Sequence, residues 1–505
     1  MSKPNILFIC TDQQRRASLG LFSKDEYKDL LTGAADPVHT PNIDALADEG
    51  IIITEAYSSY PVCSPFRAML FSGLYPEDNG VKQNCAPGRP DELRADIPTF
   101  TDVLADNGYD VGYVGKWHLE MPRADFDQSG NYIAENAEYS GERFYADGSP
   151  EAAPTCWDTL IPESRRRGID YLYAYNTYDV FRYSESTPIL KRPRLFDRDY
   201  KRHMPPPDVW SADFETDVAL NFLKNDAGQR RKSEPFALFV NYNPPHSPYA
   251  SIDDTDRDAY EKHYKHADAE KRLPMRENLA PTVEDFEEKA RVYFSHVCGI
   301  DRCVGRLLDA LDEIGERENT IVVYTSDHGE MMGSHGLMAK NVPYEEATAI
   351  PFVIRYPRAL NHRAVPLFIT AVDMMPTVLG LAGIEKPSGL AGEDYSNLLS
   401  CGEGEMPSAA LFTQPKRKGV RTRDYLLTIA YGTDDRHGET MLFDMKADPY
   451  QMNNLPLSAI PEAQLNELLR LLGSMLKKAN DPWYKKRLYS DLILYGYDTQ
   501  PERSD

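Results

Sequence analysis

Four short apolar runs, each closed by polar residues, constrain the fold of this chain more than any other feature. NILFIC runs into Thr11-Asp12-Gln13-Gln14, and DVGYVG into Lys116-Trp117-His118. FALFVNYN runs into Pro244-Pro245-His246, and TIVVYTS into Asp327-His328-Gly329-Glu330. Runs of this length, rich in Val, Ile, Phe and Tyr, read as buried strands. Helical patterns separate them. Thr40-Pro41 opens a helix that Gly50 closes, and Thr99 opens another that stops at Gly108. Thr282 opens a long amphipathic helix that runs to about Ile314. This alternation predicts an α/β fold with a large mixed, mostly parallel sheet flanked by helices.

The pattern breaks between roughly residues 120 and 210, a stretch rich in Tyr, Arg, Asp and Pro that reads as a long irregular insertion. From about residue 405 the chain offers short strand-like runs, YLLTIAYG and ETMLFDM, and a helix near Pro461 to Lys478. The expected organisation is a main domain over 1–404 and a small C-terminal α+β subdomain over 405–505.

In an open α/β sheet, ligands bind outside the carboxyl ends of the strands. The four runs therefore deliver their polar residues to one edge. Asp12, Gln13, Asp327 and His328 supply three oxygen donors and one imidazole, a set that favours calcium or magnesium over zinc. Arg67, Lys116, His118, His246 and Lys340 form a cationic group. Cations gathered around a metal suit an anion such as sulfate or phosphate.

The chain as a whole is acidic, with 56 Lys and Arg against 79 Asp and Glu and a net charge of −23. Such a balance argues against a nucleic-acid partner, since phosphate binding relies on lysine and arginine. No apolar run has the length of a membrane span, so no membrane partner is expected. Seven cysteines without CxxC or zinc-type spacing read mostly as free thiols in a reducing compartment. MSKPNILFIC reads as a first strand rather than a signal peptide. A cytoplasmic location is expected for the sequence as it stands, and a periplasmic or secreted one if a leader has been removed.

One cysteine stands apart. Cys63-Ser64-Pro65-Phe66-Arg67, continuing AMLFSGLYPEDNG, places a thiol where a helix begins, with Pro65 in the first turn. This stretch resembles the C-x-P-x-R signature of the type I sulfatases, in the alkaline-phosphatase-like superfamily. Phe66 departs from the usual Ser or Ala, and Ser72-Gly73-Leu74 stands where Thr-Gly-Arg is usual. The resemblance covers nearly the whole chain. NILFICTDQQ, GKWH, NPPHSPY and SDHG match further family segments, as does LFDMKADPYQMNNL near 442–455.

The resemblance implies that 1–404 is a catalytic sulfatase domain. It implies that a maturation enzyme converts Cys63 to formylglycine (3-oxoalanine), an aldehyde that hydrates to a gem-diol. A helix N-terminus suits the resulting anion. Asp12, Gln13, Asp327, His328 and the modified Cys63 would bind Ca2+, with Mg2+ as the alternative. Lys116 and His118 would flank the formylglycine, with His118 taking a proton as sulfate is expelled. His246 would face the leaving group, Lys340 would contact the sulfate, Arg67 would help ionise the nucleophile, and Asn84 would line the anion pocket.

The substrate expectation comes from the insertion. Arg165 to His203 holds ten Lys or Arg against five Asp or Glu, a positive stretch in an acidic protein. Surface salt bridging would account for it. So would a subsite for uronic carboxylates or neighbouring sulfates, with Tyr171, Tyr173, Tyr175 and Trp210 as stacking faces. The second reading favours a sulfated carbohydrate, such as a short oligosaccharide. Two rivals remain at this point. One is a phosphonate monoester or phosphodiester hydrolase of the same superfamily, against which the Lys116/His118 pair argues. The other is a non-catalytic anion-binding relative with an unconverted Cys63.

Overall fold

A computed structural model of the chain describes residues 3–31, 33–134, 137–146, 148–152, 157–177, 181–186, 192–231, 233–249, 256–265, 276–280, 286–431 and 437–485. Ten strands form the main sheet. They are β1 (Asn5–Thr11), β2 (Ile51–Tyr57), β3 (Asp110–Lys116), β4 (Tyr171–Tyr175), β5 (Leu195–Asp197), β6 (Arg202–His203), β7 (Phe236–Asn241), β8 (Thr320–Ser326), β9 (Phe352–Arg355) and β10 (Arg363–Thr370). Their order is β10-β2-β9-β8-β1-β7-β3-β4-β5-β6. The central pairs β8–β1, β1–β7, β7–β3 and β3–β4 are parallel, and β9 runs antiparallel to both its neighbours. The sheet is mixed and mostly parallel, as the alternation predicts.

Both faces of the sheet are covered, which is why its central strands are continuous apolar runs rather than alternating ones. Along β1, Ile6, Phe8 and Cys10 enter one core, and Leu7 and Ile9 enter the other. The helix Cys63–Ser72 and the helix Ala371–Leu381 cover the first face with Phe66, Met69, Leu70, Met374 and Val378. The helices Pro41–Glu49, Ser211–Lys224 and Phe286–Glu313 cover the second with Ile43, Phe222, Val304 and Leu307. Burying each of these large side chains contributes about 1.5–3 kcal/mol.

The expected helix ends are found with one change of partner. Thr99 caps Phe100–Asp106 through a reciprocal bond with Asp102. Thr40 does not cap the helix after it. Its hydroxyl donates to Asp44, and the free amides of Asn42 and Ile43 instead meet the Asp301 carboxylate, at 3.0 and 2.8 Å. Thr282 lies outside the described residues, and the long helix is described from Phe286 to Glu313.

The insertion is not wholly irregular. It adds β4, parallel to β3, and then the short antiparallel β5 and β6 at the sheet edge. At the other end of the chain, β11 (Ala409–Gln414), β12 (Arg417–Thr422), β13 (Tyr425–Tyr431) and β14 (His437–Asp444) form an antiparallel sheet in that order. The helix Glu462–Lys478 packs on it. Leu411, Val420, Leu427 and Leu442 share one core with the helix Cys63–Ser72, so the second sheet buries its inner face against the main body. No helix among the described residues is long and apolar enough to cross a membrane. The six described cysteines are free, and Cys156 lies outside the described residues.

Candidate active site

Four neighbouring parallel strands, β8, β1, β7 and β3, end at one edge of the sheet. The residues that follow them are Asp327 and His328, Asp12 and Gln13, Asn243 and His246, and Lys116 to His118. Two glycines permit the close approach. Gly115 has φ +104°, and a Cβ there would stand 2.2 Å from Asn241 O on the adjacent strand. A Cβ on Gly329 would stand 1.9 Å from Glu346 O. Gln13 and His118 also hold positive φ, 72° and 54°. Such conformations cost about 1–3 kcal/mol each for non-glycine residues and persist only where the surroundings fix them.

Asp12, Cys63, Asp327 and His328 converge so that one ligand atom from each lies within 4.8 Å of the others. All four are buried. Cys63, the first residue of its helix, has Sγ 3.3 Å from His328 Nε2 and 3.6 Å from Asp12 Oδ1. His328 Nε2 lies 3.5 Å from Asp327 Oδ1 and 3.6 Å from Asp12 Oδ1. Its other nitrogen, Nδ1, donates to Gly329 O at 3.1 Å, which turns Nε2 toward the carboxylates as a ligand. Burial holds the His328 imidazole below its ordinary range, in the neutral form that binds metal.

The two carboxylates compete. Burial pushes Asp12 up, but Lys116, His246, His328 and Arg67 together hold it well below the usual carboxylate range. Burial and the charge of Asp12 push Asp327 up to about 7. Asp327 Oδ2 accepts no hydrogen bond among the described residues and has Arg67 Nη2 at 3.2 Å. A buried pair of acids of which one resists ionising fits a divalent cation, whose charge would let both ionise.

Gln13 completes this side. Its backbone N–H donates to Asp327 Oδ1 at 3.0 Å, and its Nε2 donates to Tyr249 Oη at 3.1 Å and to Glu330. These bonds fix the amide so that Oε1 is the free acceptor, and it accepts from Lys340 Nζ.

Lys116, Arg67 and His246 stand around Asp12, the carboxylate next to the thiol. Lys116 Nζ lies 2.7 Å from Asp12 Oδ2 and donates to Asn243 Oδ1 at 2.9 Å. Burial alone would neutralise this ammonium, but Asp12 raises it above its ordinary value. Arg67, fully buried, reaches Asp12 at 3.3 Å, Lys116 O at 3.0 Å and Asn241 Oδ1 at 3.2 Å. His118 Nε2 donates to Cys85 O at 3.3 Å, which leaves Nδ1 as a buried nitrogen without a partner among the described residues. Burial and Lys116 hold His118 well below its ordinary range. His246 Nδ1 donates to Ser247 O at 2.6 Å, and its Nε2 faces Lys340 Nζ at 2.7 Å. Asn84 Oδ1 accepts from Ser64 N at 3.0 Å and so satisfies a free amide at the helix start.

The residues expected to bind metal, sulfate and protons, Asp12, Gln13, Cys63, Arg67, Asn84, Lys116, His118, His246, Asp327, His328 and Lys340, thus come together. Sequence reasoning missed the groups that orient them: Asn241 and Asn243, from the alternating NYN at the end of β7, and Tyr249. Glu330, seen at a strand end but given no role, accepts from Gln13, from Tyr249 and from the amides of Met332 and Ala339. An acid directly after Asp-His-Gly was the available signal.

The insertion differs from its expectation. Tyr171, Tyr175 and Trp210 are buried and offer no stacking face, and Tyr173 is half-buried. Most of its cations serve its own structure. Arg165 pairs with Glu120 at 3.0 Å and Arg194 with Asp158 at 2.9 Å. Arg166, Arg182, Arg192, Arg198 and Arg202 donate to backbone carbonyls. Lys191 lies outside the described residues.

Comparisons with known proteins agree with this geometry. Residues 4–384 match the sulfatase family model, and residues 333–480 match the model for the N-sulphoglucosamine sulphohydrolase C-terminal region. An endo-4-O-sulfatase of Bacteroides thetaiotaomicron is 35% identical over 516 residues, covering 97% of this chain and 95% of its own. An N-acetylglucosamine-6-O-sulfatase of the same organism is 29% identical over 518 residues, covering 95% and 88%. A solved structure described under the metabolism of multiple glycosaminoglycans by that organism superposes with a TM-score of 0.87 at 34% identity, covering 98% of this chain and all of its own. The fold is the alkaline-phosphatase-like fold of these enzymes. The chain belongs to the sulfatase family, and the protein is a sulfuric ester hydrolase.

Proposed function

We propose that the protein releases sulfate from a sulfated carbohydrate, with Cys63 converted to formylglycine by a maturation enzyme. Asp12, Gln13, Asp327, His328 and the modified Cys63 would hold a calcium ion, or magnesium in its place. The observation that carries this reading is the position of Cys63 Sγ, 3.3 Å from His328 Nε2 and 3.6 Å from Asp12 Oδ1 at the start of a helix. Sγ stands where the formylglycine oxygens would be. When present, the ion and the converted side chain supply an ionised oxygen nucleophile and offset the charge of the sulfate.

The chain's own groups account for the remaining chemistry. Lys116 and Arg67 hold developing negative charge beside residue 63 in a water-poor site, where fixed charges act strongly. Asn84 Nδ2, unpartnered among the described residues, would donate to a sulfate oxygen. Lys340 would bind sulfate and, with His246, deliver a proton to the leaving oxygen. His118, held below its ordinary range and with Nδ1 unpaired among the described residues, would accept a proton as sulfate departs.

The carbohydrate reading draws on the relatives, an endo-4-O-sulfatase and an N-acetylglucosamine-6-O-sulfatase. The test is release from 4-O- and 6-O-sulfated glycosaminoglycan oligosaccharides, beside matched sulfate, phosphate and phosphonate esters of 4-nitrophenol. Sulfate release from the oligosaccharides is the expected result. Faster turnover of the phosphorus esters would favour the phosphonate monoester or phosphodiester rival.

A further inference from the structure

Trp157 is 41% exposed, whereas Trp117, Trp210 and Trp483 are 0%, 1% and 6% exposed. A tryptophan ring at the surface offers an apolar face on which a sugar ring can stack. Its backbone is held firmly. Trp157 O accepts from Asn176 Nδ2 at 3.1 Å, and the same amide donates to Glu120 O at 2.8 Å. Asn176 directly follows β4, is 1% exposed, and Glu120 is two residues past His118. The next residue, Asp158, is buried in a 2.9 Å pair with Arg194. The Trp157 backbone is therefore carried at the strand edge that holds the active site, through an amide it shares with the carbonyl two residues past His118.

A second segment reaches the same place. Cys85 O accepts from His118 Nε2, and a turn closed by Arg89 N to Ala86 O at 3.1 Å follows. This turn brings the Arg89 guanidinium 5.8 Å from the centre of the Trp157 ring. Arg89 is exposed and makes no ion pair or side-chain hydrogen bond among the described residues. In the neighbouring insertion, by contrast, Arg165, Arg166, Arg182, Arg192, Arg194, Arg198 and Arg202 are bound to carbonyls or carboxylates.

We propose that Trp157 and Arg89 form a subsite for the sugar next to the one that carries the scissile sulfate. The indole stacks on its ring, and the guanidinium pairs with an anionic group on it, a carboxylate or a second sulfate. This rests on the carbohydrate reading above.

The experiment compares Trp157→Ala and Arg89→Ala on two substrates, a uronate-containing 4-O-sulfated glycosaminoglycan tetrasaccharide and 4-nitrophenyl sulfate. The subsite predicts a rise of about tenfold in KM for the tetrasaccharide with little change in kcat, and unchanged turnover of the aryl ester, which fills only the sulfate pocket. Trp157→Phe recovers most of the loss. A carboxyl-reduced tetrasaccharide tells the two anions apart: Arg89→Ala ceases to matter if the carboxylate is the partner, and still matters if a sulfate is. Unchanged KM in both alanine variants, or equal losses on both substrates, overturns the subsite. A wild-type enzyme that turns over the aryl ester but releases nothing from the tetrasaccharide overturns the carbohydrate reading, and the subsite with it.

Discussion

Lys340 Nζ lies 2.7 Å from His246 Nε2, so an ammonium and an imidazole share one hydrogen bond at the edge of the site. Burial and the charge of Lys340 hold His246 well below its ordinary range, so its Nε2 is the acceptor toward Lys340 Nζ. In the proposed mechanism the pair acts as one acid toward the leaving oxygen. Lys340→Ala and His246→Ala should each lower kcat on a sugar sulfate by about 10²–10⁴-fold. The double variant should be little worse than the poorer single one, because the two act as a unit. Steady-state kinetics on the three variants checks this, and a multiplicative loss would contradict it.

Glu330 touches no predicted ligand of the metal except Gln13, yet it accepts from that amide and from the backbone leading to Lys340. Glu330→Ala should lower metal affinity about 10–100-fold, the usual effect of removing a group that orients a ligand. Equilibrium dialysis against calcium, followed by metal analysis, measures it. Gln13→Ala should weaken binding at least as much.

In the proposed mechanism His118→Ala removes the proton acceptor but none of the sulfate contacts. The variant should release about one equivalent of alcohol per enzyme and then stall, with KM little changed. A rapid-quench measurement of alcohol and sulfate release separates these steps. A pure rise in KM would place His118 in binding instead.

The parts legible in the sequence were those encoded locally. Asp12, Lys116, His246 and Asp327 each follow an apolar run, and the run itself announces the strand end. That β8, β1, β7 and β3 are neighbours follows from sheet order, which no single segment contains. β4 escaped notice because YLYAY is short, tyrosine-rich and lies amid polar sequence. Tyr171 and Tyr175 looked like stacking faces because composition does not report burial. The cap on Asn42 and Ile43 comes from Asp301, about 260 residues away, and so has no local signature.

The two sheets are joined through buried charge, which sets a pH dependence. Arg421 on β12 meets Glu345 at 2.7 Å, and Arg16 meets the same carboxylate at 3.0 Å. Burial pushes Glu345 and Glu346 up, but Arg421 and Arg16 at the first and Arg276 at the second hold both below the usual 4.5. Acids lowered in the folded state stabilise it above pH 4.5 and lose that contribution as pH falls through their folded values. Melting temperature should therefore fall below pH 4.5. Glu345→Gln should cost about 3–5 kcal/mol at pH 7, since it strands two buried guanidinium groups, and should flatten the acid limb. Thermal melts followed by circular dichroism from pH 3 to 8 check both.

The account turns on what Cys63 becomes. The most direct test is the mass of the proteolytic peptide that spans Cys63, taken from protein that is releasing sulfate. The account predicts an aldehyde in place of the thiol, in proportion to the active fraction. A fully active preparation in which that peptide carries only the unmodified thiol would contradict it.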